Sequence, residues 1–246
     1  MSGWSRFGFA LLMALLTALF IGLGIWQVER LGEKEALIAR VAAQASAAPV
    51  DLPPASAWAG LDPTTLSYAP VRIAGHFVPE QTVTVFTSLS DAKGAYGGPG
   101  YWVLTAFSLD SGGTIFVNRG FVPQEKRADF ASGQGVGAEP VTLTGVARLS
   151  EPAGSFTPAA NAADRIDYVR DPQRLAALLA PGPAPIAPVT LDLPAGPAGT
   201  LPQGGETVVE FTNNHLGYAI TWFGFALITP ILLVFWLRRQ RRSART

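Results

Sequence analysis

Two runs without a charged side chain, Phe7–Trp26 and Leu216–Leu237, stand near opposite ends of this 246-residue sequence. About 20 residues at ~1.5 Å rise cover the ~30 Å hydrocarbon core of a bilayer, so each run is long enough to cross one as a helix. Directly after the second run come five arginines in nine residues, Arg238, Arg239, Arg241, Arg242 and Arg245. Lys and Arg in short flanks are retained on the cytoplasmic side. The expected organisation is therefore a cytoplasmic N-terminus over residues 1–6, a transmembrane helix over 7–26, an external domain over 27–215, a second transmembrane helix over 216–237, and a cytoplasmic Arg-rich tail over 238–246.

Charge distribution points the same way. The eighteen basic and eighteen acidic residues balance over the whole chain, but all eighteen acids and only twelve of the basic residues fall in Gln27–His215. The external part is thus at −6 and the flanks at +6. The first run is longer than the roughly 7–15 residues of a signal-peptide core, and Trp26-Gln27-Val28-Glu29-Arg30 offers no small-residue cleavage site, so it reads as an uncleaved anchor. Ala10, Ala14, Ala18 and Gly22 recur every fourth residue, a stripe that lets another helix approach closely. The second run, with Gly217, Ala219 and Gly224, is the expected partner.

Cysteine is absent and only two histidines occur, His76 and His215. This excludes thiolate metal sites, iron–sulfur clusters, covalent haem attachment through C-x-x-C-H, and a zinc site of three imidazoles within one chain. The external 189 residues are enough to bury a core without disulfides. Gln27–Arg40 reads as an extension of the first helix, and Ala42–Leu66, rich in Ala, Pro and Ser, as a linker with little regular structure. Tyr68–Phe77, Thr82–Ser88, Tyr101–Leu109, Thr114–Val122, Val141–Leu149, Val189–Leu193 and Thr207–Phe211 are β-branched or aromatic runs bounded by Gly, Pro or Asp. Gly112-Gly113 marks a hairpin turn. Asp171-Pro172 opens a short helix through about Leu179. The expected fold class is a membrane α+β protein. Two transmembrane helices flank an external, mainly antiparallel β domain, sandwich or barrel-like, with short helices.

Candidate site residues concentrate where the chain re-enters the membrane. Asn213 or Asn214 is suited to capping the second helix. His215, Tyr218 and Trp222, at i, i+3 and i+7, share a face. One reading is an interfacial belt of Tyr, Trp and a snorkelling His. The other is a haem-sized site with His215 as axial metal ligand between aromatic walls. Trp26, Gln27 and Arg30 leave the membrane at the same level, either as anchor and solvated charge or as neighbours of His215. Arg119, on a strand running into a Gly-Pro turn, is suited either to clamping a carboxylate or to a structural ion pair. His76 reads as structural or solvated.

Five motifs occur in order: Gly24-Ile25-Trp26-Gln27-Val28-Glu29-Arg30 with Lys34; Tyr68-Ala69-Pro70-Val71 leading to Gly75-His76-Phe77; Gly100-Tyr101-Trp102-Val103-Leu104-Thr105; Phe116-Val117-Asn118-Arg119-Gly120-Phe121-Val122-Pro123; and Asn213-Asn214-His215-Leu216-Gly217-Tyr218-Ala219-Ile220-Thr221-Trp222-Phe223-Gly224. Together, between two spans, they resemble the surfeit-locus cytochrome c oxidase assembly factors of mitochondria and bacteria. Gly32-Glu33 and Ala106 depart from the family pattern without disturbing it. The resemblance implies a non-enzymatic protein that binds haem a transiently and assists its delivery into the oxidase catalytic subunit. It links His215 and Trp222 to that binding, with Tyr218, Arg119, Trp26, Gln27, Arg30 and Asn214 as surrounding candidates. It also implies the catalytic subunit, haem a synthase and membrane lipid as partners. For a bacterial member, the location is the inner membrane with the domain in the periplasm.

A different class of function is a haem-independent scaffold that stabilises the nascent oxidase subunit. A hydrolase is disfavoured, because no Gly-x-Ser-x-Gly elbow is present and His76 lacks a partner motif. Nucleic-acid binding is disfavoured by the acidic external domain.

Overall fold

A computed structural model describes residues 3–179, 182, 185–207 and 213–243. The chain divides into two compact units, Met1–Arg40 with Glu210–Thr246, and Val41–Val209.

The first unit is built from two long helices, most of α1 (Gly3–Ala45) and α4 (His215–Ser243). α1 runs five residues past the expected Arg40, and its 43 residues span about 65 Å at 1.5 Å each. Both helices turn large apolar side chains outward: Leu11, Leu15, Leu19 and Ile25 on α1, and Ile220, Leu227, Ile231 and Leu232 on α4, are 45–65% exposed. Only 11% of the most apolar stretch of each helix is buried. A helix from a soluble core would be mostly buried. Apolar surface of this extent belongs in lipid, and this is a membrane protein. Hydroxyl groups inside the helices are satisfied locally, as a medium without water requires. Thr17 donates to the Met13 carbonyl at 2.8 Å, Thr221 to Gly217 at 2.9 Å and Thr229 to Phe225 at 2.6 Å. The last of these lies beside Pro230, which brings no amide hydrogen of its own.

The expected four-residue stripe is not the surface that pairs the helices. Ala14, Ala18 and Gly22 are exposed, and nothing would meet a Cβ at Gly22 within 4 Å. Covered residues along the seam include Met13, Thr17, Phe20, Gly24 and Gln27 on α1, and His215, Ala219, Trp222, Ala226 and Thr229 on α4. Both sets alternate steps of four and three, the 3.5-residue period of a left-handed coiled-coil seam. Large rings rather than small residues dictated this choice. Phe20 lies against Trp222 at 5.7 Å and against Phe225 at 5.5 Å, and Phe9 lies against Trp236 at 4.5 Å between centroids. Gly24 makes room for Phe223, whose ring would stand 2.7 Å from an added Cβ. Of the small residues expected on α4, Ala219 is in the seam; Gly217 and Gly224 have no neighbour within 4 Å of where a Cβ would sit.

The second unit is a seven-stranded, mostly antiparallel sheet: β1 (Val50–Asp51), β2 (Pro70–Leu89), β3 (Gly98–Leu109), β4 (Thr114–Pro123), β5 (Val141–Leu149), β6 (Ile166–Asp167) and β7 (Ile186–Asp192). The pairings β2–β3, β3–β4, β4–β7, β7–β5 and β5–β2 close a ring. Closure removes the open edges that an antiparallel sheet would otherwise expose. The barrel form of the expected fold is the one realised. Two expected strands, Tyr68–Phe77 and Thr82–Ser88, are one 20-residue strand with a register shift between Val78 and Thr82. The Pro79-Glu80-Gln81 segment makes a bulge where sequence alone suggests a turn. Gly112 and Gly113, both at positive φ, turn β3 into β4 as expected.

β4 is buried along its whole length because the two sides of the sheet are both covered. Ile115 and Val117 join one apolar cluster with Val71, Phe107, Val189 and Leu191. Phe116 points into the other, with Val83, Leu104 and Leu175. Leu175 comes from α3 (Pro172–Ala177), where Asp171 caps the helix by accepting from the Arg174 amide at 2.8 Å. A further short helix, α2 (Arg127–Phe130), follows β4. The stretch read as a linker is a correction. Residues 42–45 finish α1, β1 pairs with β2, and two 3₁₀ turns follow, Ala55–Gly60 and Pro63–Leu66. Leu52, Trp58 and Leu66 carry the segment into the core, and the Trp58 indole donates to the Pro53 carbonyl at 2.8 Å. Of the expected strand Thr207–Phe211, residues 208–211 lie outside the described residues, as do residues 244–246 of the Arg-rich tail.

Candidate functional site

At the first residue of α4 the imidazole of His215 meets Gln27 of α1, its Nδ1 2.7 Å from the Gln27 Oε1. The contact joins residues 188 positions apart and closes one end of the seam. Gln27 is 8% exposed, so no water competes effectively for its carbonyl. His215, half-buried, shares a pocket of about 370 Å³, open on one side, with Arg30, Glu33, Lys34 and Leu37. Arg30 is held by Glu33 at 2.7 Å and lies 6.0 Å above the Trp26 ring. The pocket thus combines one ring nitrogen, two cationic side chains, one carboxylate and an apolar wall.

The remaining sequence candidates separate into different surroundings. Trp26 is 46% exposed on the outer face of α1. Tyr218 is 56% exposed. Trp222 is partly buried between Phe20 and Phe225, so its ring packs into the seam. Asn214 is exposed, and its backbone carbonyl, at 3.3 Å from the Tyr218 amide, begins the helix. Asn213 Oδ1 is buried without a partner. His215, Gln27 and Arg30 are brought together; Trp26, Tyr218 and Trp222 are distributed around the helix pair.

Arg119 belongs to the β domain, where the Asn118-Arg119-Gly120 sequence forms a bulge. Val103 pairs with Gly120 and Leu104 with Asn118, leaving Arg119 as the extra residue. Gly120 takes φ +132°, and a Cβ there would stand 2.3 Å from the Gln203 backbone. Asn118 Oδ1 accepts from the Gly120 amide at 3.1 Å, while its Nδ2 donates to Asp192 at 3.0 Å. Arg119 is buried, donates to the Gln134 carbonyl, and leaves Nη1 without a partner. Burial pushes its guanidinium down to about 10. Expected from sequence as a carboxylate clamp or a structural ion pair, it pairs with no carboxylate among the described residues and braces the segment at Gln134 through a backbone carbonyl.

Two polar networks escaped the sequence reading. Asp192 accepts from Asn118, from Arg170 at 2.9 Å and from Thr207 at 2.8 Å; Arg170 also reaches Glu151 at 2.8 Å. Burial alone would lower the Arg170 pKa, but the carboxylates of Asp192 and Glu151 outweigh it and hold the guanidinium above its ordinary value. In the Pro/Gly-rich stretch, Glu206 accepts from the Lys93 and Gly94 amides at 2.9 and 2.8 Å and from the Gln203 side chain at 2.8 Å. With those donors in place the Glu206 carboxylate is a loop staple beside a 440 Å³ hollow lined largely by backbone. The signal available in sequence was a Gln and a Glu among seven Gly and Pro residues in 194–206.

Comparison with known proteins gives one consistent result. The SURF1 family model matches residues 14–227. The chain is 34% identical to Surfeit locus protein 1 of Rattus norvegicus, over 92% of this chain and 74% of the relative. It is 34% identical to the SURF1-like protein of Monosiga brevicollis, over 96% and 90%, and 32% identical to Surfeit locus protein 1 of Homo sapiens, over 94% and 77%. All the motifs described above fall within or next to the matched region, from the Gln27 end of the seam to the Asn118-Arg119-Gly120 bulge and the start of α4. On these grounds the protein belongs to the SURF1 family, known as cytochrome c oxidase assembly factors.

Proposed function

We propose that this protein binds haem a through His215 and assists its delivery into the catalytic subunit of cytochrome c oxidase, performing no bond-making step of its own. The observation that carries the reading is the His215–Gln27 pair at the end of an apolar helix seam. An imidazole with one nitrogen already engaged, at the edge of a lipid-facing helix pair, has the donor chemistry an iron porphyrin requires. Arg30 and Lys34 in the same pocket suit the porphyrin carboxylates, and Leu37 its apolar edge. The residues present therefore fit the group. Trp222 contributes by holding α4 against Phe20, which keeps His215 in register with Gln27. Haem a synthase as the source of the haem and the oxidase subunit as its destination are the partners of this reading.

The spectrum of the full-length protein, co-expressed with the haem a biosynthetic enzymes and purified in detergent, tests it. A Soret band of haem a in stoichiometric or near-stoichiometric amount is expected; a colourless preparation excludes a carrier. The scaffold reading would then stand in its place, supported by the outward-facing Ala14, Ala18 and Gly22, which leave α1 open to another helix.

The proposed location is a bacterial inner membrane with both termini cytoplasmic and the β domain periplasmic, supported by the six basic residues confined to the flanks. A reporter active only in the cytoplasm should work when fused after Thr246 and fail when inserted within residues 46–49, between α1 and β1. Activity of the inserted reporter would reverse the orientation.

A further inference from the structure

We propose that Gln27 is a positioning residue that sets the tautomer of His215, placing the proton on Nδ1 and the lone pair on Nε2. With the Gln27 Oε1 turned toward the ring at 2.7 Å from Nδ1, and a carbonyl oxygen able only to accept, Nδ1 carries the hydrogen in this arrangement. The proton is then fixed, because Gln27 is buried and its carbonyl has no solvent alternative of equal quality. In its neutral form the ring has a single lone pair left for a metal, on Nε2, and the hydrogen bond also fixes the plane of the ring about that nitrogen. Metal-binding histidines are commonly oriented in this way by a partner on the second nitrogen. Imidazole side chains in water favour the opposite tautomer, with the proton on Nε2. Without Gln27 a metal would have to displace that proton or bind through Nδ1, the nitrogen nearer the backbone.

The assignment deepens the haem-ligation reading and rests on it only for the metal, since the tautomer is a property of the protein alone. The chain's two histidines make it directly measurable. In the full-length protein labelled with ¹⁵N-histidine and reconstituted in lipid, His76→Asn leaves His215 as the remaining imidazole. The expected spectrum has a protonated Nδ1 and an unprotonated Nε2. Gln27→Leu, which keeps bulk in the seam and removes the acceptor, should return His215 to the Nε2–H form. It should also lower haem a retention by about 10- to 100-fold, the range for loss of such an orienting partner. Gln27→Glu retains an acceptor and adds charge, so haem should be kept while its midpoint potential falls. A wild-type His215 protonated on Nε2, or a tautomer unchanged in Gln27→Leu, would overturn the assignment. A correct tautomer together with an unaltered haem spectrum in a His215 variant would overturn haem ligation and leave the assignment of Gln27 standing.

Discussion

Replacing His215 by alanine is expected to reduce the haem a that co-purifies with the full-length protein to background, with the protein still inserted in the membrane. The imidazole is the only side chain of its pocket with a neutral nitrogen suited to iron; Arg30 and Lys34 offer only protonated donors. Insertion is expected to persist because both apolar runs are untouched and His215 stands at the end of the seam. Trp222→Phe is the informative companion. It keeps a ring against Phe20 and Phe225, so the shape of the spectrum should hold and only the yield of bound haem should decline. Haem present in equal amount with an unchanged Soret band in His215→Ala would exclude ligation by this residue.

Arg170→Met should produce the largest loss of stability in the β domain, about 3–5 kcal/mol, the range for removing one partner of a buried pair. Asp192 is 4% exposed and, among the described residues, would keep Asn118 and Thr207 as donors, with its charge uncompensated. For a unit of this size each kcal/mol shifts Tm by roughly 2–4 °C, so a fall of roughly 6–20 °C is expected in the full-length protein followed by circular dichroism. Arg170→Met combined with Asp192→Asn should recover much of the loss, because both charges then leave the interior together. A change of less than about 2 °C in the single variant would show that Asp192 finds other compensation.

Local chemistry was legible in the sequence wherever neighbours along the chain settle the outcome. Asp171-Pro172 specifies a helix start through a cap and a preset φ, and Gly112-Gly113 specifies a hairpin through positive φ. The fused strand β2 was not legible, because Pro79-Glu80-Gln81 has turn composition and forms a bulge only when β3 pairs on both sides of it. Leu52, Trp58 and Leu66 carry no period, so a segment that enters the core resembles a linker. The Asp192–Arg170–Glu151 network assembles residues from separate segments, and nothing local distinguishes them from surface charges. At the candidate site, His215 and its place at the start of α4 could be read directly. Its pairing with Gln27 depends on which face of α1 meets α4, and the alanine stripe suggested a different face from the one that Phe20 and Trp222 impose.

That unused stripe has a geometric consequence. The seam between α1 and α4 follows a 3.5-residue period, which goes with a left-handed crossing near +20°, so those two helices stay together over many turns. A row of small residues at every fourth position is inclined differently on the helix surface and favours a right-handed crossing near −40°. A third helix received on Ala14, Ala18 and Gly22 would therefore splay away from α4 instead of lengthening the bundle. It would meet α1 closely over about two turns and then diverge into lipid, a junction narrow enough to form and part without unzipping the pair that holds His215.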